Sequence, residues 1–412
     1  MKAIAVLAVF VLAAGSVSCS KPRATQAPAA RVVIITPSEA MAPREFRGAE
    51  ALARAYPAKG AKGELSHAIL PGKAAPGDKK LKSGDKPGAE ISEAAVASFI
   101  AGVAADPRVK AIVVDPALPG SAEGFRRAKE SRPDLFCVAG GSREDGLAIE
   151  ASVDLVIDLD RVYRAYLIPW AAKKMGAKAL VAVYTRAEDA DSLASRERAI
   201  MSAACAEFGL KYAAMVPPAG AEATAYARAM TGPWLRDYGP DAALYCSDDA
   251  LVEPIIAGAI AGGGIVVDAA GSATRAVYAA ALGLDLSSAK GDARKERRLL
   301  EKAIVDLGAG GRFGLWDADY VEASVEGLGE FALRVALGSA RKDDLKELIA
   351  ALAARFPDAA WLAAYDIDQD TGIKSANRIL LREDVYALGT GYLQSALQAV
   401  PAKYLVLRAS VQ

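Results

Sequence analysis

The sequence predicts an α/β protein made of two doubly wound parallel-sheet lobes joined by hinge crossovers. From residue 31 onward, short runs rich in β-branched residues alternate with longer amphipathic stretches. The strand-like runs are continuously apolar, which is typical of parallel strands covered by helices on both faces. The chain has 412 residues, of which 53% are hydrophobic and 7% aromatic, enough for two domains with cores of small aliphatic side chains.

Two successive sets of predicted strands account for the two lobes. The first set is Val32–Thr36, Ser66–Leu70, Ala111–Asp115, Leu135–Ala139 and Leu155–Leu159. The second set is Ala179–Tyr184, Leu210–Val216, Ala243–Cys246 and Ile265–Asp268. Helices are predicted between them at Glu45–Tyr56, Ile91–Ala104, Ala122–Ser131, Arg161–Met175, Ser192–Phe208 and Asp249–Ala261. We expect the first crossing between lobes near Asp160.

The segment after Gly310 is too short to form a third domain of ordinary size. It contains a helix-like run, Val321–Leu337, and two strand-like runs, Trp361–Ile367 and Asn377–Arg382. We therefore expect this segment to complete the first lobe. Residues 31–160 together with about 311–412 would form lobe 1, and residues 161–310 would form lobe 2.

The N-terminus is typical of an exported lipoprotein. Lys2 and the apolar run Ile4–Ala14 predict a signal peptide over residues 1–18. The following Ser16-Val17-Ser18-Cys19 resembles a bacterial lipobox, although Ser16 stands where Leu is commoner. Because of this resemblance we expect a lipid on Cys19. The alternative is an ordinary secretory signal followed by a chance cysteine. Residues 19–30 are a Pro/Ala-rich tether, which predicts a body anchored on the periplasmic or cell-surface side of the membrane.

Composition excludes several classes of function. Fifty Lys and Arg balance fifty Asp and Glu, and nucleic-acid binding needs a basic excess or a basic stripe. A single histidine, His67, argues against His-based metal sites and most acid–base catalysis. The nucleotide, hydrolase and metalloprotease motifs are also missing from the sequence. We expect no catalytic residue, metal or cofactor, free buried thiols at Cys137, Cys205 and Cys246, and a monomer.

Three further segments have more than one interpretation. Lys73–Gly88 is rich in lysine, glycine and proline, so we interpret it as a solvated loop rather than a basic ligand patch. His67 is expected to be a hydrogen-bonded histidine at a strand edge. The segment DIDQDTG at 366–372 resembles the start of a calcium loop, but its Gly lies one place too late, so a hairpin turn is favoured.

Open α/β sheets bind ligands at the carboxyl ends of their strands, so polar and aromatic residues at those ends are the candidate ligand contacts. Such residues follow strands of both sets and also close the run RFGLWDAD. The candidates are Thr36, Ser38, Asp115, Tyr184, Arg186, Asp248, Asp249, Asp268, Trp316, Asp317 and Tyr320. Strand ends also hold ordinary helix caps, so these residues carry weight together rather than one by one.

Several segments resemble a known family. They are Arg44–Glu50 (REFRGAE), Val109–Val114, Pro119–Ala122, Ala171–Ala177 (AAKKMGA) and Asp248–Pro254 (DDALVEP). Together they are similar to a bacterial lipoprotein family of unknown function with a type I periplasmic-binding-protein fold, related to riboflavin-binding lipoproteins of ABC importers. Trp316 and Arg186 fit the family pattern. Asp248 stands where the family has Asn, and Asp317 and Asp319 depart from its Trp-Ala-Tyr-Ser. Added carboxylates would favour ligand N–H or hydroxyl donors, or a cation.

The resemblance implies an extracytoplasmic solute-binding protein that delivers a small ring-bearing ligand, such as riboflavin or a related flavin or nucleoside, to an ABC permease. One alternative is a ligand sensor of the same fold that signals to a membrane partner. A hydrolase using Asp248 and Asp249 is the third hypothesis, weakened because adjacent side chains usually diverge.

Overall fold

The computed structural model describes residues 30–57, 63–71, 91–185, 192–218, 220, 222–268, 275–289, 291–368 and 371–407. The signal peptide, Cys19, most of the tether, the Lys73–Gly88 loop and Arg186 lie outside these residues. None of the helices in the described part combines the length and apolar character that a membrane crossing requires.

The larger sheet has seven strands in the order β11-β12-β5-β4-β3-β1-β2, all parallel except β11. Its strands are β1 (Arg31–Thr36), β2 (Glu64–Ile69), β3 (Val109–Val114), β4 (Phe136–Gly140), β5 (Leu155–Leu159), β11 (Trp361–Ile367) and β12 (Lys374–Glu383). One face packs on α1 (Pro43–Ala55), α11 (Tyr320–Ala336) and α12 (Leu345–Arg355). The other face packs on α2 (Glu93–Ala104), α3 (Ser121–Ser131) and α4 (Gly146–Ser152), so the sheet is doubly wound.

The smaller sheet has four parallel strands in the order β7-β6-β8-β9. They are β6 (Ala179–Val183), β7 (Lys211–Met215), β8 (Ala242–Cys246) and β9 (Ile265–Asp268). One face packs on α5 (Arg161–Lys174) and α6 (Ser192–Phe208). The other face packs on α7 (Glu222–Tyr238), α8 (Asp249–Gly262), α9 (Arg275–Leu282) and α10 (Ala293–Asp306). Both faces are therefore covered, as the continuous apolar strands predicted.

A third, small antiparallel sheet joins the two main sheets. It consists of β10 (Gly314–Leu315), β13 (Tyr386–Ala387) and β14 (Gly391–Tyr392). A bridge between Val266 and Phe313 connects it to β9. At Gly314 a Cβ atom would lie 2.0 Å from the Val267 carbonyl oxygen, so only glycine allows this close approach.

The C-terminal segment returns to the smaller sheet. Helix α13 (Ala402–Leu405) places the buried Tyr404 ring 4.8 Å from the ring of Tyr166 on α5, and the Tyr404 hydroxyl donates to Glu207 at 2.6 Å. This position differs from the expectation that residues 311–412 all pack with lobe 1. Apolar positions at Val400 and Tyr404 are compatible with either sheet, so the sequence pattern did not distinguish them.

The predicted hairpin is confirmed by the described residues on either side of positions 369 and 370, because β11 and β12 pair antiparallel there. Asp368 accepts a hydrogen bond from the Thr371 backbone N–H at 2.7 Å, and Gly372 has φ +69°. Asp370 of the calcium-loop alternative lies outside the described residues.

The buried free thiols are also confirmed, and burial raises the pKa of both Cys137 and Cys205 to about 12.

Candidate functional site

A cavity of about 430 Å³ lies between the larger sheet and the first helices of the smaller one. Its walls come from the loop after β4, the ends of β5 and β11, strand β12, and helices α5, α6 and α11. The lining residues are Gly141, Ser142, Asp158, Leu159, Arg161, Val162, Leu193, Arg196, Tyr320, Asp366, Arg378 and Leu380. This volume falls within the range of small-molecule sites.

The polar wall of the cavity is organised around Arg378. Its guanidinium donates to Asp158 at 2.5 Å and to Glu150 at 2.6 Å. Asp158 also accepts from the Ser142 backbone N–H at 3.2 Å. Burial raises the pKa of both Asp158 and Asp366, and Asp366 forms no ion pair with the residues that the structure describes. This wall can accept hydrogen bonds from ligand hydroxyl or N–H groups.

The opposite wall comes from α5 and α6. Arg161 makes a two-pronged ion pair with Glu197, at 2.7 and 2.9 Å. Arg196 donates to the backbone carbonyls of Leu405 and Leu407 in the C-terminal segment. Both guanidinium groups are therefore held in place by partners while their side chains line the cavity.

Next to the cavity lies a buried group of four side chains, Arg164, Asp268, Trp316 and Tyr320, which we call the hinge cluster. Arg164 on α5 donates to Asp268 at the end of β9 at 2.7 Å. The Arg164 guanidinium carbon lies 4.8 Å from the centre of the Trp316 ring, and the Trp316 and Tyr320 ring centres are 6.4 Å apart. The cluster thus joins the smaller sheet to the start of α11 in the larger one.

Each member of the hinge cluster has a polar atom that is buried and has no hydrogen-bond partner. These atoms are Arg164 Nε, Asp268 Oδ1, Trp316 Nε1 and Tyr320 Oη. The four residues are between 2% and 8% exposed. Because most buried polar groups in proteins are paired, each exception requires an explanation. Four exceptions in one contact group distinguish this region.

Asp115 lies on the same side as Tyr320, at the end of β3. It is buried and accepts from the Ser324 hydroxyl at 2.9 Å. Burial, with Glu45 nearby, raises the pKa of Asp115 well above its usual value. A Cβ at Gly140 would lie 2.3 Å from the Asp115 carboxylate, so a glycine at the end of β4 is what leaves room for it.

Tyr184 lies on the smaller sheet. Its buried hydroxyl contacts the Met201 sulfur at 3.2 Å, and its ring is 6.2 Å from that of Tyr245. The guanidinium of Arg198 is 5.3 Å from its ring centre. Burial raises the pKa of both tyrosines, and the charges of Arg164 and Asp268 act on that of Tyr245. Tyr245 also pairs in register with Asp268 across β8 and β9, so it lies between Tyr184 and the hinge cluster.

Two predicted carboxylates have structural partners instead. The Asp317 carboxylate pairs with Arg297 at 2.5 Å and Arg275 at 3.4 Å, and it accepts from the Tyr392 hydroxyl at 2.6 Å. Asp248 caps α8 by accepting from the Ala250 backbone N–H at 2.8 Å.

At the end of β1, the hydroxyl of buried Thr36 contacts His67 Nε2 at 2.8 Å. His67 Nδ1 is 2.8 Å from Glu50, and the His67 side chain is 3% exposed. The expectation of a hydrogen-bonded histidine is confirmed.

The Ser38 carbonyl accepts from the backbone N–H groups of Met41 and Ala42, so its backbone closes a turn before α1.

The structure thus brings Asp115, Asp268, Trp316 and Tyr320 into or beside one region. It gives Asp248 and Asp317 structural partners, and the side chain of Asp249 is not described. Sequence reasoning missed Asp158, Arg164 and Arg378. Asp158 follows the same strand-end rule as the chosen residues and could have been found by it, whereas Arg164 and Arg378 lie inside a helix and a strand. Among the described residues, no group of three or more potential ligands is placed to hold a metal ion.

Comparisons with known proteins found similar sequences and similar structures. A Treponema pallidum (strain Nichols) protein, itself uncharacterized, is 33% identical over 210 residues, covering 49% of this chain and 94% of the relative. The crystal structure of a putative transcriptional regulator from Clostridium difficile 630 superposes with a TM-score of 0.72 at 16% identity, covering 87% of this chain and 99% of that one. An ABC-transporter solute-binding protein from Actinobacillus succinogenes 130z, solved with D-allose, has a TM-score of 0.46 at 15% identity, covering 76% and 93%.

The predicted fold class, of the type I periplasmic-binding-protein kind, is confirmed by the two parallel sheets and the superposition at 0.72. A second family model covers residues 325–407. The model of DUF3798, a family of proteins of unknown function, matches residues 30–314, and the chain therefore belongs to the DUF3798 family.

Proposed function

We propose that this protein is a solute-binding lipoprotein that delivers a small ring-bearing ligand to an ABC importer. The observation that carries the proposal is the 430 Å³ cavity, because residues of the larger sheet and helices of the smaller sheet line it together. A ligand that contacts both sides favours the closed arrangement, since it binds that arrangement more tightly than the open one. A permease can then recognise the closed form.

The chemistry of the walls supports a ligand with a ring and several hydroxyl groups. Asp158, Asp366 and Arg378 offer acceptors and donors for hydroxyls. Leu159, Val162 and Leu380 offer apolar surface for a ring, and Tyr320 adds an aromatic one. Riboflavin, a related flavin or a nucleoside fits this description, so these compounds are the first to be tested.

The test is mass spectrometry of the compound released by heat from protein purified without refolding, followed by a thermal-shift screen of vitamins, nucleosides and sugars. We expect one neutral ring compound to be released and to raise the melting temperature when it is added back. At a hundredfold excess over Kd, it should raise the free energy of unfolding by about 2.7 kcal/mol. If nothing is released and no compound shifts the melting temperature, the binding function is wrong.

The same preparation tests the proposed location. We propose that Cys19 carries a diacylglycerol that holds the protein outside the cytoplasm beside its permease. The intact mass of protein extracted from membranes should then equal that of a chain beginning at Cys19 plus the lipid. An unmodified mature chain in the soluble fraction would contradict the anchor while leaving ligand binding untouched.

A further inference from the structure

We propose that the hinge cluster is the inner half of the ligand site and that it receives a neutral edge of the ligand. That edge presents acceptor atoms beside an N–H or O–H donor, as an amide, an imide or a pair of hydroxyls does. The inference rests on the proposed binding function and names the chemical class that the site selects.

The unpartnered atoms of the cluster point to a ligand. Arg164 Nε, Asp268 Oδ1, Trp316 Nε1 and Tyr320 Oη are all buried and unpaired, although their residues touch one another. A buried polar group without a partner is costly, so proteins normally pair such groups or reserve them for function. Trp361 Nε1, at the far end of β11 from the cavity, is also unpaired but stands apart from this group.

The unpaired atoms define what the ligand edge must offer. Arg164 Nε and Trp316 Nε1 can only donate, Asp268 Oδ1 can only accept when ionised, and the Tyr320 hydroxyl can do either. An edge that satisfies them carries at least one acceptor and one donor close together. An edge with acceptors alone would leave Asp268 unpaired, and one with donors alone would leave Arg164 and Trp316 unpaired.

The charge balance of the cluster requires that this edge be neutral. Arg164 and Asp268 compensate each other at 2.7 Å, and their side chains are 7% and 3% exposed. A carboxylate, phosphate or ammonium group placed beside them would bring an uncompensated charge into a buried site. The cluster therefore selects against charged edges even though charged residues form it.

The cluster continues the cavity inward. Tyr320 lines the cavity, and Trp316, which packs against it, does not. Arg161 also lines the cavity, and Arg164 lies one turn further along the same face of α5. Movement of the two sheets apart would uncover these atoms. Their unpaired state raises the free energy of the closed arrangement without ligand, so a ligand that pairs them favours closure.

The experiment uses two variants that delete unpartnered groups, Tyr320→Phe and Trp316→Phe, with Trp361→Phe as the matched control. Trp316→Phe and Trp361→Phe each remove one buried, unpaired indole N–H and leave a similar void. The probes are riboflavin, uridine and D-glucose as neutral compounds, and D-gluconate and D-glucosamine as charged counterparts of glucose. Affinity is measured by calorimetry, and the melting temperature is measured without probe.

We expect a neutral probe to bind the wild type and to bind Tyr320→Phe and Trp316→Phe about tenfold more weakly, with Trp361→Phe unchanged. The melting temperature of Tyr320→Phe without probe should equal or exceed that of the wild type, because the deleted hydroxyl has no partner to lose. Neutral binding that is equal in all four proteins would overturn the inference and leave the proposed function standing. Preference for gluconate or glucosamine over every neutral probe would overturn it too. Release of no compound from the purified protein, together with binding of no probe and no response in the thermal-shift screen, would remove both the inference and the proposed function.

Discussion

Trp316 and Asp317 are neighbours in sequence and lie in two opposite kinds of environment. Trp316 belongs to the hinge cluster, where four buried polar atoms have no partner. Asp317 is as deeply buried, yet its carboxylate is held by Arg275, Arg297 and the Tyr392 hydroxyl, and its backbone N–H donates to Glu383 at 2.7 Å. The residues around Trp316 each keep one unpaired polar atom in addition to the Arg164–Asp268 bond, whereas the carboxylate and backbone N–H of Asp317 are paired and only Glu383 Oε2 is unpaired beside them.

This difference in hydrogen bonding distinguishes residues that can bind a ligand from residues that stabilise the fold. A paired network fixes geometry and loses much when one member is removed, because the remaining buried charges are left alone. An unpaired group contributes little to the ligand-free fold but is available to a ligand. Unused hydrogen-bonding capacity, more than burial or charge alone, therefore distinguishes the candidate ligand contacts from the Asp317 network.

The largest expected effect is on the paired side. Asp317→Ala should lower the free energy of unfolding by about 3–5 kcal/mol, because it leaves the guanidinium of Arg297 partly buried without its carboxylate. Urea unfolding measures this loss. Asp343→Ala, which breaks an exposed ion pair with Arg341, serves as the control and should leave the curve in place. A loss below about 1 kcal/mol for Asp317→Ala would mean that its network is not structural.

An intermediate effect is expected at Asp160, which is buried at the first crossing and has partners, Arg382 at 3.1 Å and the Tyr163 backbone N–H at 3.2 Å. Burial nevertheless raises the pKa of Asp160 to about 6. The folded protein therefore holds this proton more tightly than the unfolded chain does. The protonation of Asp160 therefore stabilises the folded protein fully below about pH 4. As the pH rises to about 6 this stabilisation is lost, and the free energy of unfolding falls by roughly 3 kcal/mol in total.

Urea unfolding between pH 4 and pH 7 tests this expectation with Asp160→Asn, which keeps an acceptor for the Tyr163 N–H and does not titrate. The variant should lose less stability than the wild type as the pH rises through this window. Parallel curves for the two proteins would show that Asp160 titrates normally and that its partners compensate for its burial.

The smallest effect is expected at Asp248. Asp248→Ala removes the cap of α8 and should cost about 1 kcal/mol of the free energy of unfolding, measured by urea. The stabilisation by the released compound should be unchanged, because the carboxylate is occupied by the helix end. Asp248→Ser, which keeps a capping oxygen, is the control. If the released compound no longer stabilised either variant, Asp248 would be a ligand contact and not only a helix cap.

Most strands of both sheets were predictable from short apolar runs, whereas β12 starts at the polar Lys374, three residues before the predicted Asn377. Leu155–Leu159, Ile265–Asp268 and Trp361–Ile367 occur as predicted. The contacts that define the site were not predictable in this way. Arg164 and Asp268 meet across 104 positions of sequence, and nothing local to either residue indicates the other. The strand-end rule found Asp268 and Tyr320, but it could not distinguish Asp317, whose partners come from α9, α10 and β14.

Within the described residues, the chain passes between the two sheets near Asp160, Trp316 and Asp384, and β10 pairs with β13 where two of these passages run side by side. The two sheets are therefore joined by three covalent connections rather than by a single flexible linker. A protease cut in any one passage would divide the chain into two fragments, which packing within each half would hold together while the other two passages still link the halves. Such a nicked molecule should still travel as one particle, and its halves could slide or twist only as far as the remaining pair of strands permits.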